Sequence, residues 1–115
     1  MKPERRIIDL PHGAGRRYCV VGPKMGVDFH FSGVGYDVSA GLEMHYLERP
    51  SYMEGQEPFS ENCWLTGCRC WSDGTSLYAT EYLYPMFKER GVEAFWPVLE
   101  KEYEERLKYA FGEAS

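Results

Sequence analysis

Apolar and polar residues alternate along the first half of the chain, and this alternation predicts β-strands. Over residues 25–31 the apolar positions are Val27, Phe29 and Phe31, and the polar positions are Asp28 and His30. Residues 42–47 repeat the pattern, with Leu42, Met44 and Tyr46 predicted to point inward. Such alternation is typical of antiparallel strands that bury one face. With another strand predicted over residues 18–21 and short turns between, the pattern indicates a meander.

A long loop and a weaker strand are predicted next. Residues 49–60 contain two prolines, a glycine and many polar side chains, which favour a loop. Loops of that length are uncommon in compact domains and often functional. Residues 63–71 predict a fourth strand that is broken or bulged at Gly67.

The spacing of apolar residues becomes helical in the second half. Tyr78, Tyr82 and Met86 recur at helical intervals. We therefore favour a helix from about Ser76 that kinks or ends near Pro85, because proline lacks a backbone donor. Residues 72–74 (Ser-Asp-Gly) leave a second interpretation open, since Asp-Gly is a hairpin signal and residues 75–84 contain enough Thr and Tyr for a strand.

The last segment predicts a second helix. Its apolar stripe is Trp96, Leu99, Tyr103, Leu107 and Phe111. Its opposite, solvated face is predicted to hold Glu100, Lys101, Glu102, Glu104, Glu105 and Lys108. Pro97 suits a first helical turn, so the regular part is expected to begin close to it.

Together these elements predict one α+β domain over residues 1–115, with an antiparallel sheet of three to four strands and C-terminal helices packed on one face. We divide it into an N-terminal arm (1–16), a β-rich half (17–71) and a helical half (75–111). The arm contains a short apolar patch at residues 7–10 that could add an edge strand. At 115 residues the chain has no room for a second domain.

Composition and charge narrow the range of possible functions. The net charge of −5 divides into about +4 over residues 1–24 and −9 over the rest. This acidic body argues against nucleic-acid binding, which needs clustered cations. No apolar run approaches a membrane span and no secretory signal is apparent, so we expect a cytoplasmic protein of a bacterial or phage-infected cell with reduced thiols.

A cysteine cluster is the first candidate site. Cys63, Cys68 and Cys70 could bind zinc as thiolates, with Cys19, His30 or His45 as a further ligand. The spacing lacks the paired C-x2-C of familiar zinc sites, so packed free thiols are the main expectation and no cofactor is assigned.

Catalytic constellations have weaker support. A cysteine nucleophile could combine with His45 as the base and either Asp28 or Asp37 as the orienting group. Any chain with four cysteines and three histidines allows such a combination, so it carries little weight. His30 and His45 are expected to be partly exposed, and Asp28 to lie on a solvated sheet face. An enzyme is therefore disfavoured.

An aromatic loop is the second candidate site. Tyr52, Met53 and Phe59 lie where core packing explains them least, and Tyr and Trp are common in protein-binding hot spots. The acidic helix face, with Glu100, Glu104 and Glu105, is expected to attract a partner protein with a basic surface. A cysteine-centred metal protein and a structural or assembly subunit remain as alternatives.

Residues 70–81 (Cys-Trp-Ser-Asp-Gly-Thr-Ser-Leu-Tyr-Ala-Thr-Glu), within a small acidic domain, resemble accessory proteins of phages and prophages in style. Some of that group, including anti-CRISPR inhibitors, are non-enzymatic and occlude a host complex. The resemblance implies an inhibitor that binds a partner such as a CRISPR effector, and it assigns no site residue.

Overall fold

One five-stranded antiparallel sheet organises the described part of the chain, residues 2–13 and 15–112 of the computed structural model. The strands are β1 (Glu4–Asp9), β2 (Arg16–Val21), β3 (Met25–Ser32), β4 (Ser39–Tyr46) and β5 (Trp71–Thr75). They lie in the order in which they occur along the chain, so the sheet is the predicted meander. Met1, Ala14 and residues 113–115 of the predicted domain lie outside the described residues.

The α+β class is confirmed, and the strand count of three to four is corrected to five. The segment interpreted as an arm supplies β1, which pairs with β2 along its whole length. The predicted strand over residues 63–71 is wrong. There the Cys63 N–H donates to the Cys68 carbonyl at 2.8 Å and closes a turn, and Gly67 has a φ of 73°, which favours glycine.

Helical structure begins at Leu77, close to the predicted start. A π-helical segment, Ala79–Leu83, leads into α1 (Tyr84–Arg90), and Gly91 separates α1 from α2 (Val92–Phe111). Pro85 is the second residue of α1 and follows the π-helical segment without a break, so the helical stretch passes through it and does not end there.

The start of α2 corrects the prediction from Pro97. The helix begins at Val92, five residues earlier, and Pro97 lies within it. Its ring removes the hydrogen bond that would reach the Glu93 carbonyl in the first turn. Both residues are exposed, so water can satisfy that carbonyl.

One sheet face, which we call the helix face, packs against α1 and α2. It is almost wholly apolar: Tyr18, Val20, Met25, Val27, Phe29, Leu42, Met44 and Tyr46 are buried. The predicted helix stripe from Trp96 to Leu107 meets it and is buried as expected. Phe29 lies 5.0 Å from Phe95 between ring centroids, which marks the centre of this core.

Residues 47–70 form the long loop; its part over residues 63–70 covers the opposite sheet face, which we call the loop face. Cys63, Leu65 and Cys70 of the loop form a second buried cluster with Cys19 of β2. A Cβ placed on Gly26 would lie 2.9 Å from Leu65, so glycine allows the loop to approach the sheet closely. The expectation of a solvated face is therefore wrong.

Candidate functional site

Asp28 is the centre of a polar cluster on the loop face. Its carboxylate is fully buried and accepts hydrogen bonds from Arg17 Nη1 at 2.9 Å, His30 Nδ1 at 2.9 Å and His45 Nε2 at 3.0 Å. Burial opposes ionisation, but the hydrogen bonds from the two histidines and the Arg17 charge outweigh it and lower the pKa of Asp28. β-Sheet register creates this arrangement, because Asp28 lies opposite Glu43 and diagonal to His45.

His45 links the carboxylate to a thiol. Its Nδ1 lies 3.7 Å from Cys63 Sγ, while its Nε2 faces Asp28. Burial alone would lower the pKa of His45, but hydrogen bonds to Asp28 and Glu43 overcome it and raise the pKa to about 9. The residue is 1% exposed, which corrects the expectation of a partly exposed histidine.

Two of the cysteines face this histidine. Burial opposes ionisation of Cys63, but hydrogen bonds from Thr66, Leu65 and Cys70 outweigh it and lower the pKa of the Cys63 thiol. Burial and the hydrogen bond to Cys63 raise the pKa of Cys70 to about 12. Of the two thiols, Cys63 is therefore the more readily ionised.

Trp64 covers the cluster from outside. The Arg17 guanidinium lies 4.8 Å from the centroid of its ring, and the His45 ring meets it edge-on at 5.5 Å. Stacking on the Trp64 indole holds the Arg17 guanidinium beside the Asp28 carboxylate. Trp64 itself is 45% exposed, so it separates the buried polar groups from solvent.

The order Cys63, His45, Asp28 matches a nucleophile, a base and an orienting group. All three residues are buried, and Cys63 is 3% exposed. A substrate could not reach the thiol without displacing the loop, so this geometry does not favour nucleophilic catalysis. Asp37, the other carboxylate considered, is exposed.

The cysteines predicted as a metal site are divided by the fold. Cys63 and Cys70 come together with His45, whereas Cys68 is exposed. Cys19 is buried in the neighbouring apolar cluster, where desolvation raises the pKa of its thiol to about 12. Sequence reasoning named His45 only as one of several possible ligands, because the spacing between residues 45 and 63 carries no motif.

The aromatic residues of the long loop have different surroundings. Phe59 is 75% exposed and Tyr52 is 42% exposed. Met53 is 4% exposed and belongs to the helix-face core, so it is removed from the candidate contact residues. The Tyr52 hydroxyl is fixed by hydrogen bonds to Asp73 at 2.7 Å and to the Tyr46 hydroxyl at 2.9 Å.

Tyr109 is a surface aromatic residue that sequence reasoning missed. Its ring lies 5.2 Å from that of Tyr52, and its side chain is largely exposed. Glu105 precedes it by one helical turn and therefore shares its side of α2. The signal available in the sequence was that Tyr109 lies outside the apolar stripe of the helix.

The acidic helix face is less uniform than predicted. Glu104 and Glu105 are exposed, but Glu100 accepts two hydrogen bonds from Arg5, at 2.9 and 3.0 Å. Glu102 was expected on the solvated face and is instead buried, where it accepts a hydrogen bond from the Tyr78 hydroxyl. On the predicted acidic face, the exposed carboxylates are therefore Glu104 and Glu105.

Comparisons of this chain with protein-family models, with curated proteins and with solved structures each found no match. Within residues 2–13 and 15–112, none of the helices has the length and apolar character required to span a bilayer. Any assignment of function therefore depends on the chain's own residues.

Proposed function

We propose that this protein is a small non-enzymatic module that binds another protein. We assign its contact surface to the exposed aromatic side chains of Tyr52, Phe59 and Tyr109, together with the exposed Glu104 and Glu105 of α2. The observation that carries the proposal is the exposure of Phe59 and Tyr52 on a loop that the buried side chains of Met53, Cys63 and Leu65 anchor to the domain. Exposed aromatic rings on an ordered surface are the usual anchors of protein recognition.

The loop is held in place before any partner arrives. Met53 anchors one part of it in the helix-face core, and Leu65 anchors another on the loop face. Tyr52 is further fixed through its hydroxyl. A preordered surface loses little conformational entropy on binding, so its aromatic contacts yield more affinity.

Charge favours a basic partner. The chain beyond residue 24 carries about −9, and Glu105 adjoins Tyr109 on α2. Such a surface accelerates encounter with a cationic patch, and salt screens the attraction. The inhibitor hypothesis, in which the partner is a host complex such as a CRISPR effector, stays a prediction that no comparison tests.

Affinity capture from bacterial lysate, followed by mass spectrometry, tests the proposal. We expect one stoichiometric partner that is lost with the double variant Phe59→Ala/Tyr109→Ala. The matched control is Tyr82→Ala, which removes a similarly exposed ring on the π-helical segment and should retain the partner.

Three results would contradict the proposal. They are retention of the partner by the double variant, its equal loss with Tyr82→Ala, and capture of further copies of the chain alone. The last result would support the assembly-subunit alternative. Purified CRISPR effectors form a separate arm, in which inhibition lost with Phe59→Ala/Tyr109→Ala would name the partner class.

A further inference from the structure

Three potential metal ligands converge beneath the long loop. His45 Nδ1, Cys63 Sγ and Cys70 Sγ all lie within 4.8 Å of one another, and all three residues are buried. His45 comes from β4, whereas the two cysteines come from the loop. The fold, and not a sequence motif, assembles this set.

We propose that His45, Cys63 and Cys70 supply three of the four ligands of one tetrahedral Zn²⁺ ion. With Zn–S near 2.3 Å and Zn–N near 2.0–2.1 Å, a tetrahedral site places its N and S ligand atoms about 3.6 Å apart. The His45 Nδ1 to Cys63 Sγ distance is 3.7 Å. Two thiolates and an imidazole suit zinc better than magnesium or calcium, which prefer oxygen ligands.

The second ring nitrogen of His45 is oriented as in known metal sites. Nε2 donates to the Asp28 carboxylate at 3.0 Å, and Nδ1 faces Cys63, where loss of its proton would allow it to bind the metal. Histidine ligands of zinc usually have such a carboxylate partner, which fixes the ring and increases its basicity. Packing of free thiols would require neither the ring orientation nor the buried carboxylate.

The turn that carries Cys63 also suits a metal-bound thiolate. Thr66 and Leu65 direct hydrogen bonds at the Cys63 sulfur. Gly67 N–H donates to the Cys63 carbonyl at 2.8 Å, which closes the turn around it. Cys70 is fixed by its pairing with Ser60, so both sulfurs are positioned before the metal binds.

A second group of ligand atoms, from Asp28, His30 and Glu43, is less suitable. The Arg17 guanidinium already lies 2.9 Å from Asp28 and 3.8 Å from Glu43, and it neutralises the charge that a cation would meet. The zinc assignment is therefore confined to the cysteine–histidine set. It is independent of the proposed partner-binding surface.

The first experiment uses the unaltered, reduced chain purified without chelator. Elemental analysis should give one zinc per chain, either as purified or after addition of Zn²⁺ and gel filtration. Zinc X-ray absorption should fit two sulfur and two nitrogen or oxygen ligands, and Co²⁺ substitution should give the thiolate charge-transfer and visible bands of tetrahedral cobalt. A chain that stays without metal after addition of Zn²⁺, or an absorption spectrum without sulfur ligands, would overturn the proposal.

Matched cysteine variants then test the ligand set. Cys70→Ser should lose stoichiometric zinc, while Cys68→Ser, which alters an exposed thiol two residues away, should retain it. Asp28→Asn should weaken zinc binding by about 10–100-fold, as expected for a group that orients a ligand. Circular dichroism identifies any variant that fails to fold, and the absorption spectrum of the unaltered chain decides the case without variants.

Two other results would reject the assignment. Equal zinc loss in Cys68→Ser and Cys70→Ser, with both folded, would mean that the ligand set is wrong. A Cys63–Cys70 disulfide in the freshly isolated chain, detected by non-reducing peptide mapping, would mean that these thiols form a redox pair.

Discussion

The two faces of the sheet are both buried, but they are buried by different means. On the helix face, Val27, Phe29 and their neighbours meet an apolar helix stripe. On the loop face, Asp28 and His45 meet an irregular loop that offers thiols and hydrogen bonds. The first face is stabilised by apolar area, while the second depends on complete pairing of polar groups. The polar residues of an alternating strand thus need not face solvent.

The largest expected effect comes from the centre of the helix face. Phe29→Ala should destabilise the fold by about 3–5 kcal/mol, because it leaves a cavity among rings that cannot close around it. Urea unfolding measures the change. Phe59→Ala, at an exposed ring, is the control and should stay within about 0.5 kcal/mol. Equal losses for the two variants would contradict the placement of the core.

The stability of the fold should fall when the buried Asp28 loses its charge without a change in side-chain volume. Asp28→Asn should cost about 2–3 kcal/mol in the presence of chelator, because Arg17, His30 and His45 lose a charged acceptor. Asp37→Asn, at an exposed position, should change stability little. If Asp28→Asn left the free energy of unfolding unchanged, the buried network would contribute no net stability. Some buried ion pairs can be replaced without loss of stability in this way.

Crowding beneath the loop should have a smaller effect. Gly26→Ala places a methyl group 2.9 Å from the Leu65 side chain, which must shift to accommodate it. We expect a loss of about 1 kcal/mol and faster amide hydrogen exchange in residues 60–70. In a double-mutant cycle, Leu65→Ala should relieve part of the cost of Gly26→Ala. Strict additivity would mean that the two residues do not meet.

The smallest effect is expected at the Arg5–Glu100 pair, which joins β1 to α2 at the edge of the helix face. The hydrogen bond from Arg5 lowers the pKa of Glu100 below its ordinary value of 4.5. The pair therefore stabilises the fold above that value, and the stabilisation is lost as the pH falls through the lowered pKa. Glu100→Gln should slightly reduce stability at pH 7 and not at low pH, whereas Glu105→Gln should show no such dependence.

The spacing of apolar residues was enough to predict those elements that keep a single spacing along their length. The alternation in β3 and the stripe of α2 predicted both the elements and the residues that bury the helix face. Alternation also placed Asp28 and His45 on the same side, but it could not say what covers that side. The cover is a loop, and the position of a loop depends on tertiary contacts such as that between Leu65 and Gly26.

Long-range pairing explains the errors in secondary structure. Residues 72–74 are turn formers, yet they lie in β5 because β4 supplies a ladder and Tyr52 binds Asp73. The cysteine-rich segment before them has the composition of a strand but closes a turn at Gly67. Each candidate metal ligand could therefore be named from the sequence. Which of them lie together, and that Cys68 is not among them, could be seen only in the folded structure.

The long loop has one further consequence, for the way the molecule unfolds. Met53 lies in one core and Leu65 in the other, so a single connection is part of both. Neither core can open fully without loosening the segment that closes its counterpart. We therefore expect the most protected amides of β3 and β4 to exchange through one cooperative opening, and not through separate events on the two sides of the sheet.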